Sequence, residues 1–337
     1  MTEFADVMLL PVQTTHCGVL HVYVQGNLEE RAGKTVILTV HDIGTNHKSF
    51  IRFCNHPSMA DVKAKTIFLH VCVPGQEDHS AEFVGDFPTL TQIGEDLLCV
   101  LEKLDVKSCI GFGEGAGANI IARFAMEYPN RIMAIILVHC TSTTAGILEY
   151  CKDKIMNVRL ENGVMFYIAI QFYIEIFRFH SPLQDGDKKY LLAFSKRSDI
   201  SSLLGTKLDT VDALLVSGGN RPHLGSVYST HKIMNKKKTT LLIVDNVCDV
   251  MTEAPDNLAR SLILLCKGCG VLSGVAIPGM ERQRTLSSSM EEADRPRRLS
   301  VTNPTPSIHW ERVVNPRGRH HKVGEDTVGK KPKEKRL

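Results

Sequence analysis

The sequence predicts an α/β fold: a mostly parallel sheet with helices on both faces and a small helical cap insertion, followed by a basic tail. Three observations lead to it. Short continuous apolar runs recur along the chain ("KTVILTVHD" at 34–42, "KTIFLHVCVPG" at 65–75, "KSCIGFG" at 107–113, "RIMAIILVH" at 131–139), and such runs suit strands buried on both faces of a parallel sheet. Segments between them place apolar residues at helical spacing. A glycine cluster, "GFGEGAGANIIARFA" at 111–125, joins one of those strands to one of those helices.

Residues 18–24 (GVLHVYV) alternate with period two and run into Gly26-Asn27, the pattern of a half-exposed strand and its turn. The segment 90–105 brings Ile93, Leu97, Val100, Leu101 and Leu104 to one helix face. The segment 118–129 does the same with Ile120, Ile121, Phe124, Ala125 and Tyr128 until Pro129 stops it. "DALLVSGG" at 212–219 and "TTLLIVD" at 239–245 predict two more strands before a last helix at 256–269. Strand and helix alternate in one domain spanning 1–280. The alternation breaks at 146–208, where "MFYIAIQFYIEIFRF" (165–179) carries Gln171, Glu175 and Arg178 on one narrow helical stripe. This run is short of the roughly twenty apolar residues that a membrane span needs. It is predicted to be a cap helix over the C-terminal edge of the sheet, ahead of a partner surface or a membrane-surface segment.

A hydrophobic fraction of 43% and a charged fraction of 23% are ordinary for a globular domain. The first residues, MTEFAD, lack the basic and apolar regions of a secretory signal, so a cytoplasmic location is expected. Of ten cysteines, Cys72, Cys99, Cys109, Cys140 and Cys266 fall in or beside apolar runs, where a thiol packs as a small hydrophobe. Cys266 and Cys269 form a lone C-x-x-C with no second ligand pair at zinc spacing. No metal or cofactor is expected. From Glu281 onward fourteen Lys or Arg face eight Asp or Glu, a net +6, which leaves −3 for the remainder of a chain whose total is +3. With scattered prolines and few apolar residues, 281–337 is predicted to be a disordered basic tail.

The glycine cluster has the shape of the turn on which α/β-hydrolases carry their nucleophile, G-x-S-x-G between a strand and a helix. Aligned as Gly111-Phe112-Gly113-Glu114-Gly115, it puts Gly113 at the attacking position, and glycine has no atom to attack with. After "DALLVSGG" the acid position offers glycine and asparagine, and no histidine lies between His231 and His309. An α/β-hydrolase-like scaffold without its chemistry is the expectation. His41, Asp42 and His139 at strand ends mark a residual pocket, and Glu114 stands at the elbow. The alternative is an active, esterase-like hydrolase built from these non-standard residues. A dinucleotide site fails because an alanine, Ala116 or Ala118, stands where the third glycine of G-x-G-x-x-G belongs.

"HDIG" with "NHK" at 41–48, "PGQED" at 74–78, "FPTLTQIGEDL" at 87–97, "GFGEGAGANIIARFA" at 111–125 and "KTTLLIVDN" at 238–246 resemble the N-myc downstream-regulated (NDR) family. The resemblance implies an α/β-hydrolase fold without enzymatic activity, serving signalling, stress response or differentiation as an adaptor. It also implies phosphorylation of the C-terminal tail. Carried over by position, Gly113 falls where the family lacks its serine. Gly219 falls where relatives often keep an aspartate, and Cys248 where an active hydrolase would have histidine.

In the tail, Arg282 and Arg284 precede Ser287, and Arg295 and Arg297 precede Ser300, each by five and three residues. A basophilic kinase accepts such serines. Protein partners are expected, with a weak contact to an anionic membrane surface also suited to the tail's charge. Specific nucleic-acid binding is not expected, because the tail's one tryptophan, Trp310, makes no stacking platform.

Overall fold

The computed structural model describes residues 6–80, 83, 85–144, 185–221 and 224–279. The segment at 165–179 and the tail with Ser287 and Ser300 lie outside them.

Eight strands, β1 (Val7–Gln13), β2 (Val19–Gln25), β3 (Thr35–Val40), β4 (Thr66–Cys72), β5 (Cys109–Glu114), β6 (Ile132–Val138), β7 (Asp212–Gly218) and β8 (Thr239–Val244), make one sheet in the order β1-β2-β4-β3-β5-β6-β7-β8. β2 runs antiparallel to both its neighbours, and every pair from β4 to β8 is parallel. The described helices are α1 (His47–Cys54), α2 (Ala60–Ala64), α3 (Leu90–Lys103), α4 (Ala116–Glu127), α5 (Asp185–Ser195), α6 (Ser201–Lys207), α7 (Leu224–Ile233), α8 (Val250–Glu253) and α9 (Pro255–Gly268).

The unbroken apolar runs become buried central strands, and their period of two divides them between two cores. Val36, Leu38 and Val40 of β3 and Ile135 and Leu137 of β6 face the core beneath α3 and α4. Ile37, Ile110, Phe112 and Ile136 face the opposite core, under α1 and α9. α3 starts on a capping box in which the Thr89 hydroxyl accepts from the Gln92 amide and the Gln92 side chain accepts from the Thr89 amide. Cys72, Cys109, Cys140 and Cys266 are buried and Cys99 half-buried, in keeping with packing roles.

β1 and α1 carry no sequence expectation. β1 is an edge strand containing Pro11, with Met8 and Leu9 half exposed, so it lacks the run that marks its neighbours. Its turn into β2 is fixed from afar: the carboxylate of Asp96 on α3 accepts from the amides of Thr15, His16 and Cys17.

Three of the five buried histidines among the described residues stand on or beside β3 and β4. The Thr39 hydroxyl meets Nδ1 of His70 at 2.9 Å, and Nε2 of His70 lies 3.4 Å from Oε1 of Gln25. His47 stacks on Tyr23 with ring centroids 3.4 Å apart. His41 accepts from the Val73 amide on Nε2 and donates from Nδ1 to the Asp42 carbonyl, which staples the end of β3 to that of β4. Burial lowers the pKa of His41 to about 4, of His47 to about 4 and of His70 to about 3. Between the ordinary value near 6.5 and these, the unfolded chain takes up protons that the fold excludes. Stability therefore falls as pH drops through that window, by about 1.4 kcal/mol per pH unit for each proton. Urea denaturation at intervals from pH 7 to 4.5 is expected to show this slope, and His70→Gln is expected to reduce it by close to one proton. An unchanged slope in that variant contradicts a neutral His70.

Candidate functional site

The C-terminal ends of β3, β5, β6, β7 and β8 lie side by side, and the segments that leave them build the site, as open α/β sheets generally arrange. β5 hands over to α4 through Gly115, whose φ of 54° and ψ of −114° are adopted readily only by glycine. This corrects the register expected from sequence. The apex of the turn is Gly115, and the motif is Gly113-Glu114-Gly115-Ala116-Gly117; Gly113 lies inside β5 and has no positive φ.

Gly113 is a glycine for a different reason. A Cβ there would lie 2.5 Å from the Ala118 Cα and the Gly117 carbonyl oxygen, and one on Gly117 would lie 2.1 Å from the Val40 carbonyl. Gly111 is pressed likewise, its Cβ position 2.7 Å from Ile121 Cγ2. The helix thus rides directly on the sheet, and any side chain at these positions would push it away.

What fills the apex is Asp42, immediately beyond β3. A Cβ on Gly115 would stand 2.1 Å from the Asp42 carboxylate carbon and from Oδ1. Oδ1 accepts hydrogen bonds from the amides of Ile43 at 2.8 Å and Ala116 at 2.9 Å. These amides belong to the residue after the apex and to the loop after β3, the two donors that form an oxyanion hole on this kind of turn. The chain's own carboxylate occupies the space of a nucleophile and accepts from both donors. It also sits at the N-terminus of α4, where the helix dipole favours an anion. Oδ2 pairs with Arg221 Nη2 at 3.5 Å, Asp42 being buried and Arg221 partly exposed. Burial pushes the Asp42 carboxyl upward, while Arg221 and the two amides pull it down.

Three more groups gather beside it. Glu114 ends β5, His139 follows β6 with a φ of 54°, and Asp249 opens α8 after β8. One ligating atom from each lies within 4.8 Å of the other two, so this trio has the donors to hold a metal ion. Burial, reinforced by the charges of Asp249 and Asp42 and opposed by Arg221, raises the Glu114 carboxyl well above its usual range. Burial, with Arg221 nearby, holds His139 well below the usual range.

The fold thus joins Glu114 to His139 and seats Asp42 against Gly115, but it commits His41 to backbone bonds. Tyr190 on α5 closes over that corner, its hydroxyl donating to the His41 carbonyl at 3.3 Å. Gly219 stays against β8, its amide donating to the Val244 carbonyl. Cys248 is half-buried, and it is its neighbour Asp249 that joins the cluster. Arg221 and Asp249 carry no sequence expectation. Each comes from a loop after a different strand, and the only local mark is at Asp249, which caps α8 through the Met251 amide.

Gly115→Ser is expected to cost roughly 2–4 kcal/mol, combining backbone strain with a clash against Asp42. In an Asp42→Ala background the same change is expected to cost at least about 1 kcal/mol less, since the clashing group has gone. Urea unfolding of the two single variants and the double variant measures this coupling, and strict additivity contradicts the contact.

Comparison with known proteins agrees with this architecture. Solved structures similar in fold include a thermophilic esterase from Thermogutta terrifontis (TM-score 0.58, 14% identity, covering 78% of this chain and 99% of that one). A hydrolase from Pseudomonas aeruginosa has a TM-score of 0.57 at 16% identity over 77% of this chain and 98% of its own. Among curated proteins, the uncharacterized protein ZK1073.1 of Caenorhabditis elegans is 69% identical over 89% of this chain and 96% of its own length. Protein NDRG3 of Xenopus laevis is 29% identical over 86% and 83%. The Ndr family matches at residues 11–182 and 170–273. With an α/β-hydrolase sheet, a glycine at the apex of its turn and family matches along most of its length, the chain belongs to the Ndr family.

Proposed function

We propose that this protein is a non-enzymatic signalling adaptor of the Ndr family, in which the former catalytic cleft has become a structural junction. The observation that carries this reading is the Asp42 carboxylate, which accepts from both oxyanion-hole amides above a glycine apex. A substrate carbonyl needs those amides free and a nucleophile beneath them. Here an anion of the protein itself takes the first role, and no side chain is available for the second.

Regulation by the tail belongs to the same reading. Each phosphate adds about −1.5 to −2 charges, so modification of both Ser287 and Ser300 removes half or more of the tail's net +6. That change would release the tail from an acidic protein partner or an anionic membrane surface. In keeping with a peripheral role, no helix among the described residues is long and apolar enough to cross a membrane. A cytoplasmic site of action, with partners that are proteins, completes the proposal.

The competing reading is an esterase-like activity using Glu114, His139 or Asp249. Purified full-length protein assayed with short- and long-chain esters from pH 5 to 9 is expected to give no saturable turnover. Saturable hydrolysis that follows the protein through purification and disappears in Glu114→Gln overturns the non-enzymatic reading. Mass spectrometry of the protein isolated from cells is expected to find phosphate on at least one of the two serines, and its absence from both removes the regulatory part.

A further inference from the structure

We propose that Glu114, His139 and Asp249 form a binding site for a divalent transition-metal ion, zinc being its natural probe, that ties together the ends of β5, β6 and β8. The three residues are far apart in sequence, so no ligand spacing betrays them. The fold delivers one nitrogen donor and two oxygen donors to a single point, with all three ligating atoms inside 4.8 Å.

His139 supplies an independent indication. It is only 6% exposed, and its Nε2 is buried without a hydrogen-bond partner. Its Nδ1 lies 3.2 Å from the Ser217 hydroxyl, which in turn donates to the Gly218 carbonyl. Because the one hydroxyl hydrogen of Ser217 is so engaged, its oxygen accepts from Nδ1–H. That leaves the lone pair on Nε2, the arrangement in which a second partner orients a metal-binding imidazole. The ring is held there by a left-handed backbone, φ 54°, that residues with a Cβ rarely adopt and that often marks functional sites.

Charge balance points the same way. Of the three carboxylates gathered here, Asp42 is paired with Arg221 at 3.5 Å. Glu114 and Asp249 are two further carboxyl groups, which as ligands are deprotonated and whose two charges a divalent cation neutralises. Asp249 already accepts from the Met251 amide and the Thr252 hydroxyl, but each carboxylate oxygen has a second lone pair available for a metal. Zinc bonds of about 2.0–2.2 Å bring ligand atoms to roughly 3.5 Å from one another, so small rotations of the Glu114 and Asp249 side chains complete the site. One imidazole with two carboxylates suits zinc or manganese better than the harder magnesium. The role assigned is that of a clip between strand ends, which goes beyond the non-enzymatic reading and does not depend on it.

The test uses full-length protein in a His320→Ala/His321→Ala background, which removes the paired tail histidines as a competing site. After chelator treatment, dialysis against zinc followed by metal analysis is expected to find one equivalent more in this protein than in its Glu114→Gln or His139→Asn derivatives. Zinc is also expected to raise the melting temperature of the parent and not of the derivatives. Zinc-edge absorption is expected to show nitrogen and oxygen ligands without sulfur. If Glu114→Gln does not fold, Asp249→Asn, which keeps the helix cap, takes its place. Equal zinc content in parent and variants, or sulfur among the ligands, overturns the proposal.

Discussion

The site is organised around one interaction, the Asp42 carboxylate held by the amides of Ile43 and Ala116 over the Gly115 turn. It joins the end of β3 to the start of α4, two segments 74 positions apart in sequence. An unfilled pair of buried amides costs free energy comparable to lost hydrogen bonds. In an enzyme that cost is accepted because the donors await a developing oxyanion. Here the carboxylate accepts from both amides, and its second oxygen pairs with Arg221. Glycine at the apex is then a steric requirement, since any side chain would occupy the place of the carboxylate.

The surrounding packing makes the same point. Gly113 and Gly117 bring α4 so near the sheet that backbone meets backbone, Gly111 leaves room for the Ile121 side chain, and a buried polar network then ties α4 to the region after α5. Arg123 reaches Asn119, Thr91 and Ser198, while Asn119 donates to the Thr141 carbonyl. A hydrolase sheet of this kind sets its strand ends side by side whatever residues stand on them, and function is decided by those residues.

The sheet was largely legible in the sequence because central parallel strands are buried on both faces and leave continuous apolar runs, from Thr35–Val40 to Asp212–Gly218. Edge strand β1 left no such run. The turn was recognisable but its register was not. Gly111, Gly113, Gly115 and Gly117 all fit an alternating glycine pattern, and only backbone geometry separates the one that needs a positive φ from those that need close approach. Asp42 is marked in the sequence only as a strand-end residue, and its engagement with Ala116 depends on tertiary contact. The trio of Glu114, His139 and Asp249 was invisible as a unit for the same reason, since local patterns report periodicity and cannot report which loops meet.

Amide hydrogen exchange at Ala116 and Ile43 tests the central claim most directly. Both amides are expected to exchange slowly in the native protein and in Asp42→Asn, whose side-chain oxygen still accepts, and at least tenfold faster in Asp42→Ala. Exchange at both amides that is unchanged by removing the Asp42 carboxylate would contradict a filled oxyanion hole.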